Sequence, residues 1–75
     1  MELPSPYHRR IRGVVLDVYD VLWAYRSSIA NPALEHGIKK LLCAGSRGSK
    51  DRLRDLKEAR WSIDRAIELE ETVSD

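Results

Sequence analysis

Five side chains able to hold an anion fall within residues 36–50: His36, Lys39, Lys40, Arg47 and Lys50. All but His36 lie in the stretch KKLLCAGSRGSKD, residues 39–51, in which two lysines, a leucine pair and a cysteine run into a glycine-punctuated segment. Lysine meets a phosphate as a point charge, whereas arginine grips it through two parallel N–H groups. Gly45 and Gly48 would let backbone amides approach a ligand, and a helix beginning just beyond would turn its positive end toward that ligand. The pattern therefore predicts a phosphate-binding rim. The competing reading is a solvated basic edge that complements the C-terminal end of the preceding helix. Trp61 and Tyr25 are candidates to stack on a base, in competition with packing in the core or between subunits.

Catalytic chemistry finds less support in the same residues. GSRGSKD lacks the spacing of a phosphate-binding P-loop and follows a helical pattern where a P-loop follows a strand. Phosphoryl transfer also needs carboxylates for magnesium, and only Asp51 and Asp55 are near enough in sequence. Four residues apart, they share one helix face and read more simply as a capping residue and an ion-pair partner. His36 would serve as a ligand or as an acid or base, the work histidine does near neutral pH, against the commoner role of a solvent-exposed or core-edge histidine. Cys43 is a reactive thiol only if the lysines beside it lower its pKa; as a small buried packing residue it needs no such help. No catalytic residue, metal-ligand set or cofactor is assigned.

Charge and length bound the remaining possibilities. A chain of 75 residues holds one domain with a thin core, so packing against copies of itself is expected. A formal net charge of +1 argues against nucleic-acid binding through bulk charge. The charges are nonetheless lopsided. Residues 36–54 carry Lys39, Lys40, Arg47, Lys50, Arg52 and Arg54 against Asp51, whereas Glu58, Asp64, Glu68, Glu70, Glu71 and Asp75 weight the C-terminal part. A lone cysteine, the absence of an apolar run near the roughly 20 residues of a membrane span, and a start without a signal-type apolar stretch predict a soluble cytoplasmic protein.

The elements that would position these groups follow from apolar spacing. Pro4, Ser5 and Pro6 predict an extended arm over residues 1–8, preceding a single domain over 9–75. Ile11, Val14, Val15, Val18, Val21, Leu22 and Tyr25 recur at helical steps and predict a helix over 9–25, although the valines leave a strand open. Asn31-Pro32 signals the start of a second helix over 32–44, with Gly45 ending it. A long helix over 50–71 follows, with Leu53, Leu56, Ala59, Ile63, Ala66 and Ile67 as its apolar stripe. The expected fold is all-α, a compact three-helix unit.

HGIKKLLCAGSRG followed by DLKEARWSIDRAI resembles the small phage-encoded domain described as nucleotide-kinase-like. That pattern runs approximately Asn-Ala-Ile-Lys-Tyr-Leu-Trp-Arg-Ala-Gly-Arg-Lys-Gly, then Asp-Leu-Lys-Lys-Ala and an aromatic with an aliphatic tail. The likeness covers residues 36–67, and Lys39, Ala44, Gly45, Gly48, Asp55, Leu56, Ala59 and Trp61 fall on it. His36 stands in place of the asparagine, Lys40 in place of the aromatic and Cys43 in place of a frequent arginine. The resemblance implies a phage protein, in the host cytoplasm, whose partner is a nucleotide-type small molecule. With no catalytic set to accompany it, the expected function is sequestration of a nucleotide or cyclic nucleotide by a homo-oligomer, a sponge that would blunt nucleotide-signalled host defence. A nucleoside monophosphate kinase, or an accessory domain of one, is the enzymatic alternative. A nucleic-acid- or protein-binding helical hairpin, using Arg9, Arg10 and Arg12 together with the glycine loop, is the other.

Overall fold

The computed structural model describes residues 3–46 and 49–73, with the backbone alone at 49, 50 and 73. Among them the chain forms two strands, β1 (His8–Ile11) and β2 (Val14–Asp17), then four helices, α1 (Val18–Ala24), α2 (Arg26–Ile29), α3 (Pro32–Leu42) and α4 (Ser49–Val73). The all-α expectation is thereby overturned, and with it the helix over 9–25. The strands pair antiparallel, His8 opposite Asp17 and Ile11 opposite Val14. Between them Arg12 and Gly13 both take positive φ, 49° and 79°. Two such residues make the tight turn whose twist matches a hairpin, a conformation no α-helix passes through. Ile11, Val14 and Val15 supply the β-branched side chains that suit strands. The helical spacing read across residues 14–25 was in part a strand alternation continued into the first turn of α1.

Asp17 makes the junction. Its carboxylate accepts from Asp20 N at 2.9 Å while its own N–H donates to the Asp20 carboxylate at 2.9 Å, a reciprocal cap that starts α1 where β2 ends. The hydrogen bond from the Asp20 amide, first among its contacts, holds the Asp17 carboxyl below its ordinary range. Upstream, Ser5 turns the chain so that His8 N donates to Ser5 O at 3.1 Å. Tyr7 then packs on the core formed by Val18, Leu22, Ile29 and Cys43, joined by Leu34 and Ile38 of α3.

Asn31 begins α3, its side-chain oxygen accepting from Ala33 N at 3.0 Å and Leu34 N at 3.4 Å, with Pro32 in the first turn. After α3, Gly45 at φ 77° reverses the chain, and a Cβ there would lie 3.0 Å from Arg52 Cβ. The return helix α4 packs along α3 through small residues. Ala59 is 1% exposed and Ala66 is also buried, and Gly37 of α3 approaches Ala59, Ser62 and Ile63. The expected stripe is thus only partly inward. Its larger members, Leu53, Leu56, Ile63 and Ile67, stay substantially exposed because small residues let the helices close together. With α1 and α2 also packing on α3, the chain makes a slab of 50 × 30 × 14 Å, little thicker than one helix with its side chains. Among the described residues no helix is long and apolar enough to cross a membrane.

Candidate functional site

Lys39 and Lys40 are adjacent in sequence, but α3 sends them in different directions. Lys40 faces α4, where Nζ lies 2.7 Å from Glu58 Oε2 and 3.5 Å from Asp55 Oδ1. Glu58 is held a second time by Arg54 Nε at 3.0 Å. Asp55, 3% exposed, accepts from Gly45 N at 3.2 Å through its other oxygen. This cluster ties the end of α3, the turn and α4 together. The hydrogen bond to Glu58 is the main cause raising the Lys40 pKa, and the Lys40 contact, ahead of Arg54, lowers that of Glu58. Lys40 is therefore a strut between the helices. Asp55, considered above as a magnesium ligand, instead holds the turn.

Lys39 turns toward the hairpin and α1. Its Nζ donates to the Tyr19 hydroxyl at 2.9 Å and lies 5.3 Å from the ring centroids of both Tyr7 and Tyr19. That is cation–π distance, so two rings and a hydroxyl fix the ammonium without neutralising it. The Tyr19 hydrogen bond is the leading reason that the Lys39 pKa is raised. Lys39 stays a cation at any physiological pH.

The fixed ammonium forms one wall of a groove of about 490 Å³, a volume typical of small-ligand sites. Tyr19, Leu22 and Trp23 of α1 line one side, and Pro32, Glu35 and His36 of α3 join Lys39 on the other. Arg26 closes one end, with its guanidinium carbon 3.9 Å from the Trp23 ring centroid and Nη1 donating to Trp23 O at 2.7 Å. His36 is exposed, and its Nδ1 lies 2.7 Å from Ser62 Oγ, which fixes the ring against α4. Two cations, Lys39 and Arg26, thus share a concave surface with His36 and with the exposed side chains of Tyr19 and Trp23. His36 and Lys39 also line a smaller cavity of about 110 Å³ beside Tyr7, Cys43 and Asp55.

The structure brings together only part of the set read from sequence. His36 and Lys39 share the groove; Lys40 is committed to Glu58 and Asp55. Arg47 and the side chain of Lys50 lie outside the described residues. Tyr25, at the junction of α1 and α2, is exposed and does not line the groove. Trp61 borders two shallow depressions on α4, one of which also includes His36. Buried Cys43 belongs to the core. Arg26 was missed, and the signal that would have found it is local: Trp23 and Arg26 are three apart, a spacing at which a guanidinium reaches the ring. Comparison with protein-family models, with curated proteins and with solved structures finds no match to the chain.

Proposed function

We propose that this chain binds a nucleotide-type ligand in the groove between α1 and α3 and holds it without chemical change. The observation that carries this reading is the pairing, on one concave surface, of exposed aromatic faces with fixed cations. Trp23 and Tyr19 offer planes for a base, Lys39 and Arg26 offer charge for its phosphates, and the His36 ring offers a further polar group. Glu35, in the first turn of α3, supplies an acceptor for sugar hydroxyls or an exocyclic amine. Asp55, one of the two carboxylates weighed above for magnesium, holds Gly45 and Lys40, and Glu58 holds Lys40 and Arg54. That commitment favours holding over transfer. In the phage setting that the resemblance implies, such a protein would act as a sponge for a nucleotide signal.

The test is calorimetric titration of the full chain with nucleoside mono- and triphosphates and cyclic dinucleotides at physiological salt, followed by chromatography of the ligand after heat release. Lys39→Ala removes a charged hydrogen-bond donor and should weaken binding by about 1–3 kcal/mol, on the order of 5- to 150-fold. Trp23→Ala should weaken it by a similar ~1–3 kcal/mol, the scale of one stacked base. Ligand recovered intact supports sequestration. A phosphorylated or hydrolysed product would instead establish the enzymatic alternative, and unchanged affinity in both variants would remove the groove from consideration.

A further inference from the structure

We infer that the outer edge of α4 is a self-association surface, on which a second copy of this chain packs with its own α4 antiparallel. Leu53, Leu56, Ile63 and Ile67 are the large aliphatic side chains of α4 left exposed beside the small residues that meet α3. Together with position 60 they alternate by three and four residues, the spacing of a helix–helix seam. Gly37 lies against Ile63, so Leu41, one turn further along α3 and also exposed, extends the same apolar surface across both helices. At 25 residues α4 is about 37 Å long and at 11 residues α3 is about 16 Å, each about 10 Å across. That makes on the order of 500 Å² per copy, about 1,000 Å² for the pair, the size a specific interface needs to clear.

Charge identifies the occupant and its direction. Lys57, Asp64 and Glu71 recur every seven residues along the flank of the seam, with Arg60 within it. Among the described residues none of these four makes an ion pair inside the chain, whereas Arg54 pairs with Glu58 and Arg65 with Glu68 on the opposite side of the helix. Lys57 and Asp64 are two turns apart, about 10.5 Å, too far to pair within one helix. A second α4 running antiparallel brings the basic half, Lys57 and Arg60, over the acidic half, Asp64 and Glu71, and does so twice by symmetry. A parallel copy would set Arg60 beside Arg60. The surface is complementary to itself in one direction only.

The experiment is sedimentation equilibrium and light scattering of the full chain from micromolar to millimolar concentration, with circular dichroism to verify folding. The wild type should approach twice its 8.6 kDa mass as concentration rises. Leu53→Glu, at a side chain 61% exposed, should keep the helical signal and weaken association at least about tenfold. Lys57→Glu and Asp64→Lys should each weaken it by roughly 3- to 30-fold, and the double variant should regain most of the loss. A chain monomeric at every concentration, an odd-numbered assembly, or a Leu53→Glu dimer of undiminished strength overturns the inference. A double charge reversal no tighter than its single parents overturns the antiparallel arrangement.

Discussion

Asn31 both caps α3 and binds α4, so replacing it tests how the two helices are fastened together. The residue is 5% exposed. Its oxygen caps α3 at Ala33 and Leu34, and its Nδ2 donates to Ala66 O at 3.2 Å and Glu70 Oε1 at 3.1 Å. Removing a cap of this kind costs about 1 kcal/mol, and each of the two donor bonds contributes about 1 kcal/mol. Asn31→Ala should therefore lose about 3 kcal/mol, a large part of the roughly 4–11 kcal/mol expected for a domain of this length. Asn31→Ser keeps a capping oxygen but not the reach of Nδ2, so its loss should be about 2 kcal/mol. Asn31→Asp also keeps the cap, yet it sets a carboxylate against a carbonyl and the Glu70 carboxylate, and should be the least stable of the three. Urea unfolding followed by circular dichroism at one fixed protein concentration measures the series. An aspartate variant as stable as the wild type would refute the contacts to Ala66 and Glu70. Equal losses for serine and alanine would refute the cap.

Gly45→Ala should destabilise by about 1–2 kcal/mol, because its φ of 77° disfavours a Cβ that would also press on Arg52; an unchanged urea midpoint would place the turn elsewhere. Acid should weaken the tie between α3 and α4. Lys40, then Arg54, holds the folded-state pKa of Glu58 below its unfolded value, so the stabilisation is present above the ordinary carboxylate range and is lost as pH falls through the folded value. Glu58→Gln should accordingly be less stable than the wild type at neutral pH, with the difference shrinking as pH is lowered in a series of urea titrations. A difference independent of pH would mean that the Glu58 charge plays no part.

The segments legible in sequence were those whose signals are local and redundant. Asn31-Pro32 announces α3 through a cap and a first-turn proline, and Gly45 announces the reversal after it, so the geometry at those positions follows from residue type. The hairpin escaped because Arg12-Gly13 is a weaker turn signal than Asn-Gly or Asp-Gly, and because Val14, Val18 and Leu22 fit a helical step while belonging to two elements. The reciprocal pair Asp17 and Asp20 was the available clue that a helix begins at Val18. For the site, sequence proximity misled at Lys40. Adjacent residues on a helix point about 100° apart, so one of two neighbouring lysines reaches the groove while the other meets the carboxylates of α4.

That divergence gives α3 its central role. Gly37 and Lys40 face α4, Leu34 and Ile38 meet the core beneath α1, and His36 and Lys39 line the groove, so three functions share eleven residues. The arrangement makes the groove depend on the N-terminal segment as well. Lys39 is held between Tyr19 of α1 and Tyr7, which precedes β1, and Tyr7 is seated by the turn at Ser5 and by the core. The segment before β1 thus contributes to the site without lining the groove. By packing Tyr7 beside the ammonium, it limits the rotamers open to a long flexible side chain, and a cation fixed in advance loses less entropy when an anion arrives.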